Sequence, residues 1–361
     1  MKLSFGRVSF SDVAIFAGVL ALCGVLLAQN SKNPIQVALL RWYSANTVTA
    51  FTTCATPSIL AFDGKHVWVA CGSTGELQEY DASDGAPVAT VTSVLNTGVF
   101  FSSLLYDGRN IWAAGNNSAS AAVVRVNVAA VNSTAACSLV SGCSCPSLGT
   151  GCAGVTNVGA GATGMTFDGS NVWVANGNAN NLSQIVANAP SPAATTVSFN
   201  TTCTQPLFLA FDGASVWVPC RKSNSVQLVK AVSPSQQTVL SGTASPSGLA
   251  YDGNNMWVSS SSGAVYEISP SGSSYAVSSA YSVPGGGGGG IAFDGKFLWV
   301  GDYSTAMVTK LLLGGPISSG APPNVTLVNT YSGGLANPES PAFDGGNIWF
   351  ANSGGNTVSK F

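Results

Sequence analysis

The sequence predicts an all-β fold, a seven-bladed β-propeller made of four-stranded blades. First, the pattern apolar-x-aromatic-Asp-Gly-x-x-apolar-Trp recurs seven times within 361 residues. Second, each copy reads as two short strands joined by an Asp-Gly turn, and two further apolar–polar alternations follow, which makes four strands per ~42 residues. Third, the last copy stops one strand short, whereas an unassigned strand-like segment precedes the first copy.

Composition excludes several other classes of protein. Charged residues make up 8% of the chain, against about 25% in an ordinary soluble domain. Together with 42 glycines, the scarcity of Glu and Lys argues against a helical bundle. A net charge of −2 without a basic run gives no footprint for nucleic acid, and 46% apolar residues argue against disorder. The single histidine, His66, excludes any mechanism or metal site that needs two.

The N-terminus is predicted to be a targeting segment. Lys2 and Arg7 precede an uncharged apolar stretch at 13–28, which is short for a membrane span. We therefore expect residues 1–28 to be a signal peptide cleaved near Ala28, with a retained signal anchor as the alternative. A lead-in segment covers 29–45. In both cases we expect the rest of the chain to be exported, to the extracellular medium, the cell surface or the periplasm. We expect contact with the membrane only through residues 1–28, and only if that segment is not cleaved.

The seven motif copies place one Asp and one Trp in each hairpin. The aspartates could suggest calcium binding or acid–base chemistry. With one aspartate in each blade, however, they would lie too far apart to share an ion, so a structural role in the turn is expected. The tryptophans could suggest sugar stacking, but they lie in mid-strand, so a buried anchor between blades is expected. The pairs are Asp63 and Trp68, Asp107 and Trp112, Asp168 and Trp173, Asp212 and Trp217, Asp252 and Trp257, Asp294 and Trp299, and Asp344 and Trp349.

The chain ends predict how the ring closes. The segment 46–51 resembles a fourth strand, and 356–361 is the third strand of the incomplete last blade. Pairing the two would remove two exposed sheet edges. The propeller domain is therefore expected to cover 46–361.

The cysteines predict disulfides in an oxidising compartment. Cys54 and Cys71 bracket one hairpin at a separation of 17, and Cys203 and Cys220 bracket another at the same separation. Each pair should meet at the end of its hairpin away from the Asp-Gly turn. Four more lie in an insertion near 128–157, with the connectivity left open: Cys137, Cys143, Cys145 and Cys152. A zinc site in this insertion is the competing interpretation, but it lacks both a histidine and a Cys-x-x-Cys pair.

The Phe-Asp-Gly-x-x-x-Trp-Val-Ala repeats resemble secreted bacterial propellers of the YVTN/NHL type, including virginiamycin B (streptogramin) lyase-like proteins. The resemblance covers about 34–361. It implies a histidine general base, a second acid–base side chain and Mg²⁺ on one face of the ring. His66 does not match that histidine, because it lies in the first Asp-Gly turn, at the other end of the hairpin. We expect it to be a solvated turn residue, and we predict no catalytic residue, no resident metal and no cofactor; a divalent metal enters only with the lyase alternative.

Polar side chains that follow the second strands, together with Glu339 at the start of the last inner strand, predict a binding rim. Asp302 and Glu339 are expected in loops that do not bury them enough to raise a carboxyl pKa. The rim is interpreted either as a binding site or as an ordinary solvent-exposed face. Its residues are Asn116, Asn176, Arg221, Lys222, Asp302, Tyr303, Glu339 and Asn352.

The predicted function is an exported binding or interaction module that takes a protein or glycan ligand at this rim. Two alternatives remain open: a lyase or hydrolase of the streptogramin-lyase type, and a self-assembling subunit of an extracellular structure.

Overall fold

The computed structural model describes residues 48–72, 74–92, 94, 100–116, 121–133, 143–144, 152–190, 192–284, 288, 290–315 and 317–361. The predicted signal segment 1–28 and lead-in 29–45 lie outside the described residues. Within the described ranges the strands form seven sheets, one per motif copy, and each is built on antiparallel neighbours. The predicted seven-bladed all-β propeller is confirmed. No helix in these ranges is long and apolar enough to cross a membrane.

The first two blades contain the insertion. Strand β1 is Thr49–Thr52, and blade 1 consists of β2 (Pro57–Phe62), β3 (His66–Cys71), β4 (Glu76–Asp81) and β5 (Pro87–Thr92). Blade 2 has β6 (Phe100–Tyr106), β7 (Asn110–Asn116) and β8 (Ala121–Asn127), then helix α1 (Val128–Ser133), β9 (Cys143–Ser144) and β10 (Cys152–Asn157). Strand β10 completes blade 2, whereas β9 pairs in parallel with β5 of blade 1.

The next three blades follow the regular order. Blade 3 consists of β11 (Ala162–Phe167), β12 (Asn171–Asn176), β13 (Asn181–Val186) and β14 (Ala194–Ser198). Blade 4 has β15 (Ala210–Phe211), β16 (Ser215–Cys220), a 3-10 turn (Arg221–Ser223), β17 (Ser225–Lys230) and β18 (Gln237–Ser241). Blade 5 has β19 (Pro246–Tyr251), β20 (Met256–Ser260), β21 (Ala264–Ser271), β22 (Ser274–Val277) and β23 (Tyr281–Ser282).

The last two blades close the ring. Blade 6 consists of β24 (Ile291–Phe293), β25 (Phe297–Asp302), β26 (Met307–Leu313) and β27 (Val325–Tyr331). Blade 7 has β28 (Pro338–Phe343), β29 (Ile348–Asn352) and β30 (Thr357–Lys360). Strand β1 pairs antiparallel with β30, from Thr49 opposite Lys360 to Thr52 opposite Thr357, as predicted. The first strand of each blade contacts the first strand of the next, and β28 contacts β2, so the inner strands form a closed ring.

Each Asp-Gly turn is held by the same set of hydrogen bonds. One carboxylate oxygen accepts the backbone N–H groups two and three residues later, as Asp168 does from Ser170 and Asn171. The other oxygen accepts the indole N–H of the motif tryptophan at 2.7–2.9 Å in all seven hairpins. The glycine that follows has a φ between 91° and 99°, a region that glycine adopts without strain. The structural role predicted for the seven aspartates is therefore confirmed.

The motif tryptophans lie in the cores between blades. All seven are at most 4% exposed. Trp68 of blade 1 packs with Leu104 and Ile111 of blade 2, and Trp112 packs with Met165 and Val172 of blade 3. Large aromatic side chains buried between neighbouring sheets contribute much of the packing energy of such a ring. The predicted role as inter-blade anchors is confirmed.

Two disulfides fasten blades 1 and 4 at the end opposite the Asp-Gly turns. The predicted pairs are confirmed: Cys54 bonds to Cys71 with a Cα–Cα distance of 5.7 Å, and Cys203 bonds to Cys220 with a Cα–Cα distance of 5.0 Å. We call this end of the ring the loop face and the end that carries the Asp-Gly turns the turn face. The side chains of the insertion cysteines lie outside the described residues, so their pairing stays a prediction: Cys137, Cys143, Cys145 and Cys152.

Candidate ligand pocket at the loop face

A pocket of about 470 Å³ opens among the inner strands. Its walls come from blades 1, 4, 5, 6 and 7, so it lies where the inner strands converge. Most of the lining is aliphatic or glycine, with one carboxyl, one phenol and one hydroxyl. The lining residues are Ile59, Phe208, Gly248, Leu249, Gly288, Gly290, Ile291, Tyr303, Glu339, Ser340 and Pro341.

Glu339 is the one charged side chain of this lining. It is the second residue of β28 and is only partly exposed. Burial raises its pKa above the ordinary 4.5, while a hydrogen bond with the Ser353 side chain acts in the opposite direction. The expectation that Glu339 lies in a loop too exposed for a raised pKa was therefore wrong. Glu339 lies near the start of the last inner strand, as expected, but blade 6 approaches it closely.

A close approach of blades 6 and 7 sets the position of Glu339. The backbone N–H of Gly290 donates to the carbonyl of Glu339 at 3.0 Å. A Cβ atom at Gly290 would overlap the ring of Pro341 and lie 2.8 Å from the Glu339 carbonyl. Glycine at this position therefore allows two inner strands to meet directly beside the carboxyl.

Two aromatic residues from different blades border the pocket. Tyr303 directly follows β25 and is 49% exposed, and its carbonyl accepts a hydrogen bond from the Asn337 amide at 3.1 Å. Phe208 precedes the short β15 and is 37% exposed. Both therefore present an aromatic surface that is partly open to solvent. Of the eight predicted rim residues, Tyr303 and Glu339 line this pocket.

Three other predicted rim residues are buried and bonded within their own blades. The Asn176 amide lies 2.7 Å from Asn181 and 2.9 Å from the Ser183 hydroxyl. Asn352 makes the equivalent contacts, donating to Thr357 at 3.1 Å and to Ser359 at 2.8 Å. Asp302 ends β25 and is 2% exposed, so the expectation that it lies unburied in a loop was wrong. Its carboxylate accepts the N–H groups of Ser304 and Thr305. These side chains fasten the ends of second strands, the same hairpin position that Cys71 and Cys220 occupy.

The remaining rim residues do not line the pocket. Arg221 and Lys222 are exposed on the 3-10 turn, where their backbone N–H groups donate to Gln205 and Thr204. The side chain of Asn116 lies outside the described residues. A ligand role for these three stays a prediction.

His66 is buried, contrary to the expectation of a solvated turn residue. It is the first residue of β3 and is 6% exposed. Its Nδ1 atom lies 3.2 Å from Asp63 Oδ2 and 2.8 Å from Glu79 Oε1. Glu79 was missed at the sequence level, although the strand register places it opposite the motif residue Trp68. The His66 cluster is on the turn face, as predicted, and so away from the pocket.

The loop-face residues do not fit the Mg²⁺ that the lyase resemblance implies. Hard divalent cations are held by several oxygen ligands, usually with more than one carboxylate. Within the described ranges, Asp63, His66 and Glu79 form the one group of three metal-ligating side chains, and it is on the turn face. The pocket contributes a single carboxyl, which is too few charged oxygen ligands to hold such an ion.

The fold and the pocket define a seven-bladed β-propeller with an apolar, singly acidic cavity among its inner strands. No family model and no curated protein matches the sequence. Solved structures do match: a virginiamycin B lyase from Staphylococcus aureus has a TM-score of 0.64 at 16% identity and covers 87% of this chain and 98% of its own. A streptogramin B lyase has a TM-score of 0.60 at 14% identity, and the match covers 87% of this chain and 96% of the lyase. The RRP9 WD40 repeats have a TM-score of 0.63 at 10% identity, and the match also covers 87% of this chain and 96% of the other. At these identities the likeness establishes the propeller fold.

Proposed function

We propose that this chain is an exported binding propeller that receives its ligand in the loop-face pocket. The observation that carries the proposal is the Glu339 carboxyl set among apolar walls. Such a site combines area for hydrophobic contact with one oriented polar group, the usual composition of a small-ligand site. The ligand that suits it has an apolar body and an amine, such as a small organic amine or a basic side chain of a protein ligand.

The pairing of Glu339 with an amine follows from electrostatics. A carboxylate that burial has deprived of water gains more from a cation than an exposed one does. An amine would hold the group ionised and offset the cost of burial. Tyr303 and Phe208, which are partly exposed beside the pocket, supply aromatic surface for a body that protrudes from it.

Export is supported by the two disulfides. Cys54–Cys71 and Cys203–Cys220 would be reduced in most cytosols, whereas they persist in secreted proteins. The predicted targeting segment 1–28 agrees with this location.

The test compares 2-phenylethylamine with 2-phenylethanol by isothermal titration at pH 7. The two probes differ only in the amine, so the wild type should bind the amine at least tenfold more tightly. Glu339→Gln should remove that preference, while Glu76→Gln, which replaces an acid at the start of β4 outside the pocket lining, should retain it. Equal affinity for both probes, or a preference that survives in Glu339→Gln, would overturn the proposal.

The second candidate is a lyase or hydrolase, and the raised pKa of Glu339 is what favours it. A carboxyl that titrates nearer to neutrality is a better acid–base catalyst at physiological pH. One similar structure is described as a catalytically inactive virginiamycin B lyase with quinupristin, which makes quinupristin the natural probe. Chromatography with mass spectrometry distinguishes elimination, which leaves the mass unchanged, from hydrolysis, which adds water. Turnover lost in Glu339→Gln but kept in His66→Asn would establish this candidate, and no turnover would exclude it for this substrate.

A further inference from the structure

Asp63, His66 and Glu79 form a buried cluster on the turn face of blade 1. Asp63 belongs to the Asp-Gly turn, His66 begins β3 and Glu79 lies in the middle of β4. Their side chains are 3%, 7% and 0% exposed, and the ligand atoms all lie within 4.8 Å of one another. Three segments of the blade thus bring one imidazole and two carboxylates to a single point.

The other blades show that the hairpin does not need this histidine. Four of them carry asparagine at the corresponding position, and its amide donates to the motif aspartate at 3.0–3.1 Å. Blade 5 is the closest parallel, since Glu267 lies opposite Trp257 as Glu79 lies opposite Trp68, but asparagine stands at 255. Among the seven hairpins, only blade 1 combines the aspartate, an imidazole and the second carboxylate.

The charge of the cluster favours a divalent cation. Two ionised carboxylates and a neutral imidazole carry a charge of −2, and a protonated imidazole still leaves −1. Buried net charge is costly unless it is compensated. One divalent cation with a neutral imidazole would bring the total to zero.

The geometry also suits such an ion. Tetrahedral ligands at 2.0–2.1 Å from zinc lie about 3.3 Å apart. The observed separations of 3.2 Å and 2.8 Å from His66 Nδ1 need only a small adjustment. The two carboxylates, which lie within 4.8 Å of each other, would close on the ion to reach this spacing. Asp63 Oδ2 already accepts the Trp68 indole N–H at 2.9 Å, but a carboxylate oxygen has a second lone pair for a metal. Its other oxygen is held by the backbone N–H groups of Lys65 and His66, which fixes the orientation of the carboxylate.

We propose that Asp63, His66 and Glu79 form a zinc-type transition-metal site, with water as the fourth ligand, that fastens the first blade at the turn face. An imidazole nitrogen with two carboxylate oxygens is a ligand set that Zn²⁺ accepts. Ca²⁺ and Mg²⁺ require more oxygen ligands than the cluster supplies. This site is independent of the pocket, so the two proposals stand or fall separately.

The experiment titrates Zn²⁺ into chelator-treated protein whose cysteines are fully oxidised, at pH 7. Because His66 is the chain's one histidine, NMR of a ¹⁵N-labelled sample reports a single imidazole and identifies the nitrogen that binds the metal. His66→Asn is the main variant, because asparagine serves this position in four other blades and should preserve the fold. Glu267→Gln, at the parallel position of blade 5, is the matched control.

The proposal predicts one equivalent of bound Zn²⁺, a shift of the Nδ1 signal, and a higher Tm with Zn²⁺ than with chelator. His66→Asn and Glu79→Gln should each lose at least tenfold in affinity, whereas Glu267→Gln should bind as the wild type does. An unchanged imidazole signal at saturating Zn²⁺ would overturn the proposal and make the cluster a metal-free ion pair. Equal binding by His66→Asn would likewise overturn it and place the ion elsewhere.

Discussion

Asp63 Oδ2 and the indole N–H of Trp68 are joined by a hydrogen bond of 2.9 Å, and an equivalent bond occurs in every blade. The contact links a surface turn to the buried aromatic anchor of the same hairpin. One carboxylate thus serves both the turn and the core, which explains why aspartate and tryptophan recur together at a fixed spacing of five residues.

Removing one of these aspartates should destabilise the whole ring. Asp168→Ala leaves the buried Trp173 indole N–H without its acceptor and frees two turn N–H groups. We expect the free energy of unfolding to fall by about 2–4 kcal/mol, measured by urea denaturation. Asp84→Ala, in an exposed turn that makes a single backbone contact through Asp84, is the control and should cost less than about 1 kcal/mol. Equal losses in the two variants would contradict the account.

The same carboxylates predict sensitivity to acid. Burial raises the pKa of Asp63, Asp168 and Asp344, but the hydrogen bonds that each accepts outweigh this, so each pKa lies below the ordinary 3.8. The folded state therefore binds protons less readily than the unfolded state, and this stabilisation is present above pH 3.8 and is lost as the pH falls through the lowered values. Melting curves between pH 6 and pH 2.5 should show Tm falling below about pH 4. A Tm that does not fall between about pH 4 and pH 2.5 would argue against the stabilising role of these aspartate hydrogen bonds.

Glu339 should have the opposite pH dependence. Its pKa is raised, so the folded state favours the protonated form, and the penalty for ionising it grows as the pH rises above 4.5. Glu339→Gln should therefore be more stable than the wild type at pH 7 and equal to it near pH 4. The comparison of Tm at the two pH values checks this, and a variant less stable at pH 7 would show that the carboxylate is favourably placed without a ligand.

The two disulfides should contribute similarly, because both close loops with a sequence separation of 17. Removing either pair, as Cys54→Ala with Cys71→Ala or Cys203→Ala with Cys220→Ala, should cost about 3 kcal/mol in the chain-entropy model. Thermal unfolding of both double variants measures the loss. Peptide mapping without reduction checks the pairs directly and also determines the pairing in the insertion. A free thiol at Cys71 or Cys220 would contradict the assignment.

Ring closure by the N-terminal strand can be tested with matched truncations. Deleting residues 1–52 removes β1 and exposes the edge of β30, so the protein should melt earlier and self-associate. The removed strand includes Phe51, which stacks on Trp349 at 5.6 Å. Deleting 1–45 keeps β1 and should leave a monodisperse ring. Equal behaviour of the two truncations in size-exclusion chromatography would exclude a closing role for β1.

The repeat unit was predictable because its signals are local. Asp-Gly turns, strand alternation and the fixed position of tryptophan all lie within one hairpin, so seven blades and two disulfides follow from spacing. The orphan N-terminal strand was also recognisable, because the last motif copy has no fourth strand of its own after Thr357–Lys360.

The chemistry of the site was less predictable because it depends on neighbours distant in sequence. His66 looked solvated beside its turn, but Glu79 on the neighbouring strand β4 contacts its imidazole. Glu339 was expected at the start of an inner strand but with too little burial to raise its pKa, whereas Gly290 of the preceding blade lets the two inner strands approach each other closely there. Asn176 and Asn352 were expected at the binding rim, but their amides contact side chains of the next strand in the same blade. Cys71 and Cys220 occupy the same hairpin position in blades 1 and 4 and are likewise bonded within their own blades.

The most direct test of the central claim is a crystal structure of the protein soaked with 2-phenylethylamine. The account predicts the amine within hydrogen-bonding distance of the Glu339 carboxylate and the phenyl ring against Ile59, Leu249 and Ile291. An empty pocket at saturating amine, or density for the amine at another surface with Glu339 left uncontacted, would contradict it.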